Sequence, residues 1–423
     1  MDIQEQKGGN VAAIATMFAL FFMIAFVTNF AGSMGVIVKN QFGASNTASQ
    51  LGSAANFFAY LFMGIPGGLI LKRKGYKFTS LLAVAVGFAG VGVQLLSGYV
   101  SSFVVYVAGA FVAGFSMCLL NLVVNPLLNT LGGEGKKGNQ LVQIGCSLNS
   151  VGATLAPILL GYLIGGEVAK AKVADAAPAL MIAMGLFALA FVIIALSKIP
   201  EPHMETAEEK AARLSSGASV FRDIVETLKF KHFTFGALAI FFYIIIECGI
   251  PNMANLYMTQ EGQSWYVGAA VAGTVVGAYW FCMMIGRLVG GAIGGKVSSK
   301  VMVTCCAVAG IALLLAAIFM PVKMVTVFSK EFPLSMGLVA LCGLCTSVMW
   351  GAIFNLAAEG LGKYVPMGSG IFMAMVCGGI VLPVQGFIAD KVGILNSYWL
   401  TIGLLAYVLV YAHVLSKPTK RAE

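Results

Sequence analysis

Gly67-Gly-Leu-Ile-Leu-Lys-Arg-Lys-Gly-Tyr-Lys77 returns later in the chain as Gly290-Gly-Ala-Ile-Gly-Gly-Lys-Val-Ser-Ser-Lys300, each time where an apolar run meets a basic loop. A second echo agrees. Gly152 precedes Pro157 by five positions and Gly161 follows it by four, while Gly378 precedes Pro383 by five and Gly386 follows it by three. The copies are offset by 223 residues at the first echo (290 against 67) and by 226 at the second (383 against 157). Two copies of one strongly apolar unit point to a membrane carrier whose substrate sits between its halves.

The chain between the echoes sets the solvent. Of 423 residues, 59% are hydrophobic and 10% charged, against about 25% charged in soluble domains. Apolar runs of about 20 residues, enough to cross roughly 30 Å of hydrocarbon as a helix, recur twelve times: 12–38, 48–71, 78–98, 103–130, 140–165, 178–197, 233–258, 266–293, 301–321, 335–358, 367–389 and 395–416. Runs this long exclude the short alternating strands of an outer-membrane barrel. The fold class is an all-α membrane protein, with twelve transmembrane helices in two pseudo-symmetric six-helix bundles. The bundles cover 1–197 and 233–423, and a polar cytoplasmic linker over 198–232 joins them.

A net charge of +9 raises the question of an anionic partner, but topology accounts for it. With the N-terminus inside, 20 of the 26 Lys and Arg residues fall in inside segments, which orients both termini to the cytoplasm of a bacterial inner membrane. Nucleic-acid binding is not needed to explain the excess. The nine cysteines all lie in spans, and Cys342-Gly-Leu-Cys345 has no histidine near it, so neither a disulfide framework nor a metal site is indicated. His203, His232 and His413 do not cluster. Without paired acids or histidine clusters in the spans the chain does not read as an enzyme, and without rings of like charge it does not read as a channel. The expected partners are the bilayer and a small solute, with no cofactor beyond a coupling H+ or Na+, in a monomer.

From Gly114 the chain reads Gly-Phe-Ser-Met-Cys-Leu-Leu-Asn121-Leu-Val-Val-Asn125-Pro126, then Ser147-Leu-Asn149-Ser150-Val-Gly152. Gly286-Arg287-Leu, Ile353-Phe354-Asn-Leu and Gly378-Gly379-Ile-Val-Leu-Pro383-Val-Gln-Gly386-Phe follow in the second half. Together these resemble the fucose:proton symporter family of the major facilitator superfamily. The resemblance implies a twelve-helix alternating-access carrier with a sugar as usual substrate, driven by protons or, in some members, sodium. It also exposes a departure: Gly32 stands where the family has an intramembrane aspartate, and Asn121 where it has a glutamate. The Gly67, Gly68, Lys77 and Gly290, Gly291, Lys300 loops resemble the superfamily's gating motif, without its usual acid.

Chemistry must then come from other groups. Glu247 is the one acid well inside a span, where a mid-helix carboxylate costs about 3 kcal/mol on insertion scales and is kept for a partner, a polar cavity or a bound cation. It is the candidate coupling residue, and Gly249 and Pro251 beyond it lead us to expect a broken helix beside the cavity. Glu359 and Asp390, at span ends, read as solvated charges. A sugar calls for amides and a flat aromatic ring. Asn29, Asn121, Asn125, Gln143, Asn149, Asn252, Asn255, Asn355 and Gln385 supply the amides, and Tyr279, Trp280 and Trp350 the rings. Arg287 reads as a snorkelling or gate residue. The reading is a monosaccharide importer, with a uniporter or an exporter of another small polar solute as the alternative.

Overall fold

A computed structural model describes residues 3–131, 135–164, 171–201, 220–293, 297–361 and 364–418. Its long apolar helices are α1 (Val11–Gln41), a 50-residue helix (Leu51–Val100), α4 (Phe103–Leu128), α5 (Ile144–Ile164), α6 (Val173–Leu196), α7 (Lys231–Met258), α8 (Ala269–Ile293), α9 (Ser299–Phe319), α10 (Leu334–Ala358), α11 (Met367–Val392) and α12 (Ile394–Leu415). The 50-residue helix is two spans. Gly75 takes φ 84° and ψ 177°, a conformation essentially reserved for glycine, and divides it into α2 (51–74) and α3 (76–100). Twelve membrane helices thus stand among the described residues, six on either side of the segment 202–219. That segment, most of the expected linker, lies outside the described residues, and the linker's end forms a short helix, Val220–Leu228.

The two halves repeat each other at atomic contacts. In α5, Gly152 packs on the backbone carbonyl of Phe22 in α1, and in α11 Gly378 packs on that of Phe241 in α7. In α4, Gly114 packs on the carbonyl of Asn56 in α2, and in α10 Gly343 packs on that of Tyr279 in α8. A Cβ at any of these four positions would collide with backbone. Small residues at these crossings let helix backbones touch, the usual basis of packing in lipid where no hydrophobic drive separates helix from solvent. Between the halves, Gly161 and Gly273 do the same for α5 and α8, each meeting a carbonyl of the other helix, Ala269 and Pro157. Apolar side chains such as Phe62, Leu189, Phe191, Leu288 and Val289 stay exposed, as a lipid-facing surface requires.

Three local features differ from the sequence reading. First, α7 is not broken: it runs as one helix through Gly249 and Pro251. The interruptions fall in its neighbours. In α10 the helix stops at Thr346 and restarts at Met349, and in α11 residues Met375–Val381 tighten into a 3-10 turn. Second, the α9–α10 connection is a β-hairpin, β1 (Met324–Val327) pairing antiparallel with β2 (Lys330–Pro333). Its two-residue loop, Phe328-Ser329, has φ of 48° and 61°, the positive pair that matches strand twist. Third, the N-terminus of α3 is held by Glu201, whose carboxylate accepts the backbone N–H of Tyr76 and, at 2.9 Å, that of Lys77.

Candidate functional site

Glu247 lies sixteen residues into the 28-residue α7, roughly 24 Å along at 1.5 Å per residue and so close to mid-depth. One turn earlier on the same face, the Tyr243 hydroxyl donates to Glu247 Oε1 at 2.8 Å and lies 3.1 Å from the Thr346 carbonyl, at the α10 interruption. Pro251 has no N–H, so the carbonyl of Glu247 loses its helical donor. Tyr279 of α8 replaces it, donating to that carbonyl at 3.0 Å. The Tyr279 hydroxyl also lies 3.0 Å from Thr346 Oγ1. A local sequence rule thus marks the deficit, and a neighbouring helix fills it.

Arg287 of α8 completes the cluster. Its Nη2 stands 3.4 Å from Glu247 Oε1, with the side chains 16% and 13% exposed. Its Nη1 donates to the Cys146 carbonyl at 3.1 Å and to Ser150 Oγ at 2.9 Å, both on α5. One guanidinium therefore joins the acid of the second half to a helix of the first. The planar fork with fixed donors suits this three-way grip in a way that a lysine would not. No group of His, Cys, Asp or Glu with metal-binding proximity occurs among the described residues.

The other expected residues are dispersed. Asn121 donates to the Tyr60 hydroxyl at 3.0 Å and to its own helix at Met117, and Asn149 donates to the Phe21 carbonyl of α1 at 2.9 Å. Asn29 and Asn125 donate to carbonyls one turn back, Ala25 and Asn121. Asn255 and Gln385 are buried; Gln385 donates to Thr401 and its oxygen packs against Gly249. Trp280 is buried with Tyr279 edge-on to it at 5.0 Å. Trp350 stacks at 5.9 Å on Phe354, with Phe372 edge-on at 5.6 Å. Asn355 is not drawn to the cluster: it lines a cleft of about 420 Å³ with Ser298, Lys300 and Glu359, and no residue of the Glu247 cluster borders that cleft. The side chain of Gln143 lies outside those described.

At position 32 the glycine borders the amide of α7: a Cβ there would come within 2.7 Å of Asn252 Oδ1, so any side chain on α1 at this point requires Asn252 to move. Asn252 also donates to Gln50 Oε1 at 2.9 Å, across the halves. This contact is one of several ties between the halves on the face opposite the termini. There Asp390 of α11 accepts the N–H of Asn46 at 2.9 Å, the N–H of Thr47 at 3.0 Å and the Thr47 hydroxyl at 2.7 Å. Asp390 is exposed, yet it is a bridge and not merely a solvated end charge. Lys330 of β2 adds a third tie, donating to Tyr162 of α5 at 2.8 Å and to Thr274 of α8 at 2.9 Å.

On the termini face the two copies of the glycine and lysine motif behave differently. Lys77 donates its ammonium to the carbonyls of Ala195 and Ser197 at 2.8 and 2.9 Å, and its backbone N–H to Glu201, just beyond. Gly67 packs under Leu119 and Leu122 of α4, whereas nothing stands within 4 Å of a Cβ on Gly68. In the second copy Gly290 packs against Val348 at the α10 interruption, Gly291 is exposed, and Lys300 lies in the first turn of α9. Tyr243, Ser150, Thr346 and Glu201 were not among the expected site residues, and Asp390 was expected only as a solvated end charge. Only Tyr243 had a local signal, its i, i+4 spacing to Glu247.

Comparison with known proteins agrees with this architecture. Residues 16–383 match the sequence profile of the Major Facilitator Superfamily. A glucose/galactose transporter of Brucella abortus (biovar 1, strain 9-941) is 26% identical over 408 residues, 96% of this chain and 94% of the relative. The L-fucose-proton symporter of Escherichia coli K12 is 23% identical over 438 residues, 97% and 95% of the two chains. Among solved structures, a fucose:proton symporter in the outward conformation superposes with TM-score 0.66 at 20% identity, over 97% of this chain and 100% of that one. A D-xylose-proton symporter gives TM-score 0.68 at 14% identity, over 97% and 98%.

Proposed function

The chain belongs to the major facilitator superfamily, and we propose that it is a secondary active transporter that imports a monosaccharide or a close polar relative, with Glu247 handling a coupling H+ or Na+. The observation that carries this reading is the Glu247–Arg287 pair, 3.4 Å apart near mid-depth and bound to the opposite half. Ionisable groups held inside a membrane at the interface of two repeats mark ion pathways. The sugar rests on the relatives named as glucose/galactose and L-fucose carriers, which align along nearly the whole chain.

In this reading the termini face is cytoplasmic and the membrane is the bacterial inner membrane, as the distribution of Lys and Arg argues. The ties at Asp390, Asn252 and Lys330 then hold the outer gate shut, so the conformation is one closed to the outside. Sugar and cation enter from outside once these ties part, and loading favours their re-formation around the occupied site. The protein works as a monomer in the bilayer without a cofactor. Trp350, with Phe354 and Phe372, is the ring platform for the sugar, and Asn29, Asn121, Asn125 and Asn149 are its amide contacts from the first half.

Uptake by reconstituted protein tests the coupling. Glu247→Gln should abolish cation-driven accumulation while keeping counterflow exchange; accumulation equal to wild type removes Glu247 from the coupling role. An ionophore that leaves concentrative uptake intact would instead establish that no H+ or Na+ gradient drives the carrier.

A further inference from the structure

The three-way grip of Arg287 carries a consequence beyond its pairing with Glu247. Its Nη2 faces the acid of α7, and its Nη1 holds the Cys146 carbonyl and the Ser150 hydroxyl of α5. Those α5 residues lie eleven and fifteen residues into a 30-residue helix, Gly135–Ile164, and so near mid-depth, whereas Gly161 and Gly273 close the same seam toward the face opposite the termini. The α5–α8 seam is therefore backbone-packed toward that face and clasped by a charged side chain at mid-depth.

We propose that Arg287 is a positioning residue that transmits the charge of Glu247 to this seam: the ionised acid keeps the clasp on α5 shut, and a neutralised acid releases it. The inference rests on the reading of Glu247 as the coupling residue, but it concerns a different event.

The physical argument is one of compensation. While Glu247 is ionised, the guanidinium is neutralised within a site only 16% exposed, and it can spend its remaining donors on the neutral acceptors of α5. When a transported cation neutralises Glu247, the same guanidinium becomes a buried charge without a counter-ion. Removing one partner of such a pair is strongly unfavourable, whereas removing both is far less so. The carbonyl and hydroxyl of α5 do not carry the missing negative charge. The arrangement that relieves the cost is one in which α5 and α8 separate at the termini face and water reaches Arg287. The Tyr243 hydroxyl is already committed to Glu247 Oε1 and the Thr346 carbonyl, so it offers the guanidinium no substitute anion.

The test is a double-substitution cycle read as a distance, which requires no knowledge of the sugar. Nitroxide labels go at Phe78 and Val301, both exposed at the termini face and on opposite halves. Glu247→Gln should raise the ratio of long to short distances about tenfold, a conservative share of the cost of an unpaired buried charge. In the Arg287→Gln background the same Glu247→Gln change should leave the ratio unmoved. Arg287→Lys keeps the charge and should retain a response to Glu247→Gln. Ser150→Ala, which removes one cross-seam acceptor and leaves the ion pair in place, should raise the ratio by itself and serves if Arg287→Gln does not fold. Equal responses to Glu247→Gln with and without Arg287, or no response to Glu247→Gln and Ser150→Ala, overturns the proposal. Loss of accumulation in Glu247→Gln with an additive cycle would spare the coupling reading and sink this one; intact accumulation with a non-additive cycle would do the reverse.

Discussion

Replacing Asp390 with asparagine should open the gate opposite the termini without unfolding the protein. The carboxylate accepts three bonds from Asn46 and Thr47, at 2.9, 3.0 and 2.7 Å, and all three cross between the halves. Hydrogen bonds to a charged group are each worth about 1.5–3 kcal/mol. Asp390 is solvent-exposed, where water competes for its oxygens and salt screens its charge, so a total near the value of a single such bond, about 2 kcal/mol, is the reasonable figure. Asparagine keeps one acceptor oxygen and loses the charge, which leaves a loss of about 1.5 kcal/mol, or roughly a tenfold shift in the open-to-closed ratio. Alanine should give the full effect, about thirtyfold. Labels at Tyr99 and Phe328, 75% and 96% exposed on opposite halves of that face, report the gate by electron paramagnetic resonance distance measurement. Longer distances should appear in the order wild type, Asp390→Asn, Asp390→Ala, with thermal unfolding almost unchanged. Identical distributions in all three proteins would show that the gate is held by the remaining contacts and that Asp390 contributes no net free energy.

Two further expectations concern the frame that carries the site. Gly378→Ala places a methyl into the Phe241 carbonyl and should lower the thermal midpoint by several degrees or abolish expression, while Gly185→Ala, with nothing within 4 Å of its Cβ, should be neutral or slightly stabilising; equal midpoints would contradict the close approach of α11 to α7. Tyr279→Phe should cost about 1–3 kcal/mol in unfolding free energy by leaving the Glu247 carbonyl without a donor, and adding Pro251→Ala, which restores the helical N–H, should recover part of that loss; strictly additive effects would separate the two residues.

The sequence disclosed what is encoded locally or by repetition. The apolar runs located the spans to within a few residues because length in a bilayer is set by hydrocarbon thickness. The echo of Gly152 in Gly378 proved to be one packing solution used twice, a glycine against a helix-one-type carbonyl in each half. Glu247 stood out through its insertion cost alone. Tertiary partners were hidden. Arg287 meets Ser150 across 137 residues and Asp390 meets Asn46 across 344, and no periodicity states which helices become neighbours. Pro251 shows the limit most clearly. A proline removes a donor, so a break in α7 was the natural inference, but a tyrosine from α8 made good the loss and the discontinuities moved to α10 and α11.

The contact between Gly32 and Asn252 constrains how such a carrier can evolve. An acid regained on α1 at position 32 would have to displace the Asn252 amide, whose Oδ1 would stand 2.7 Å from the first side-chain atom added. Shrinking Asn252 first would clear the space but surrender the bond to Gln50. Either order of events puts the Asn252–Gln50 bond at stake, so the effect of a substitution at one position depends on the residue at the other. Among descendants of a common ancestor, residues 32 and 252 should change together, and the location of the coupling acid should be inherited as a stable alternative rather than drift freely from one half to the other.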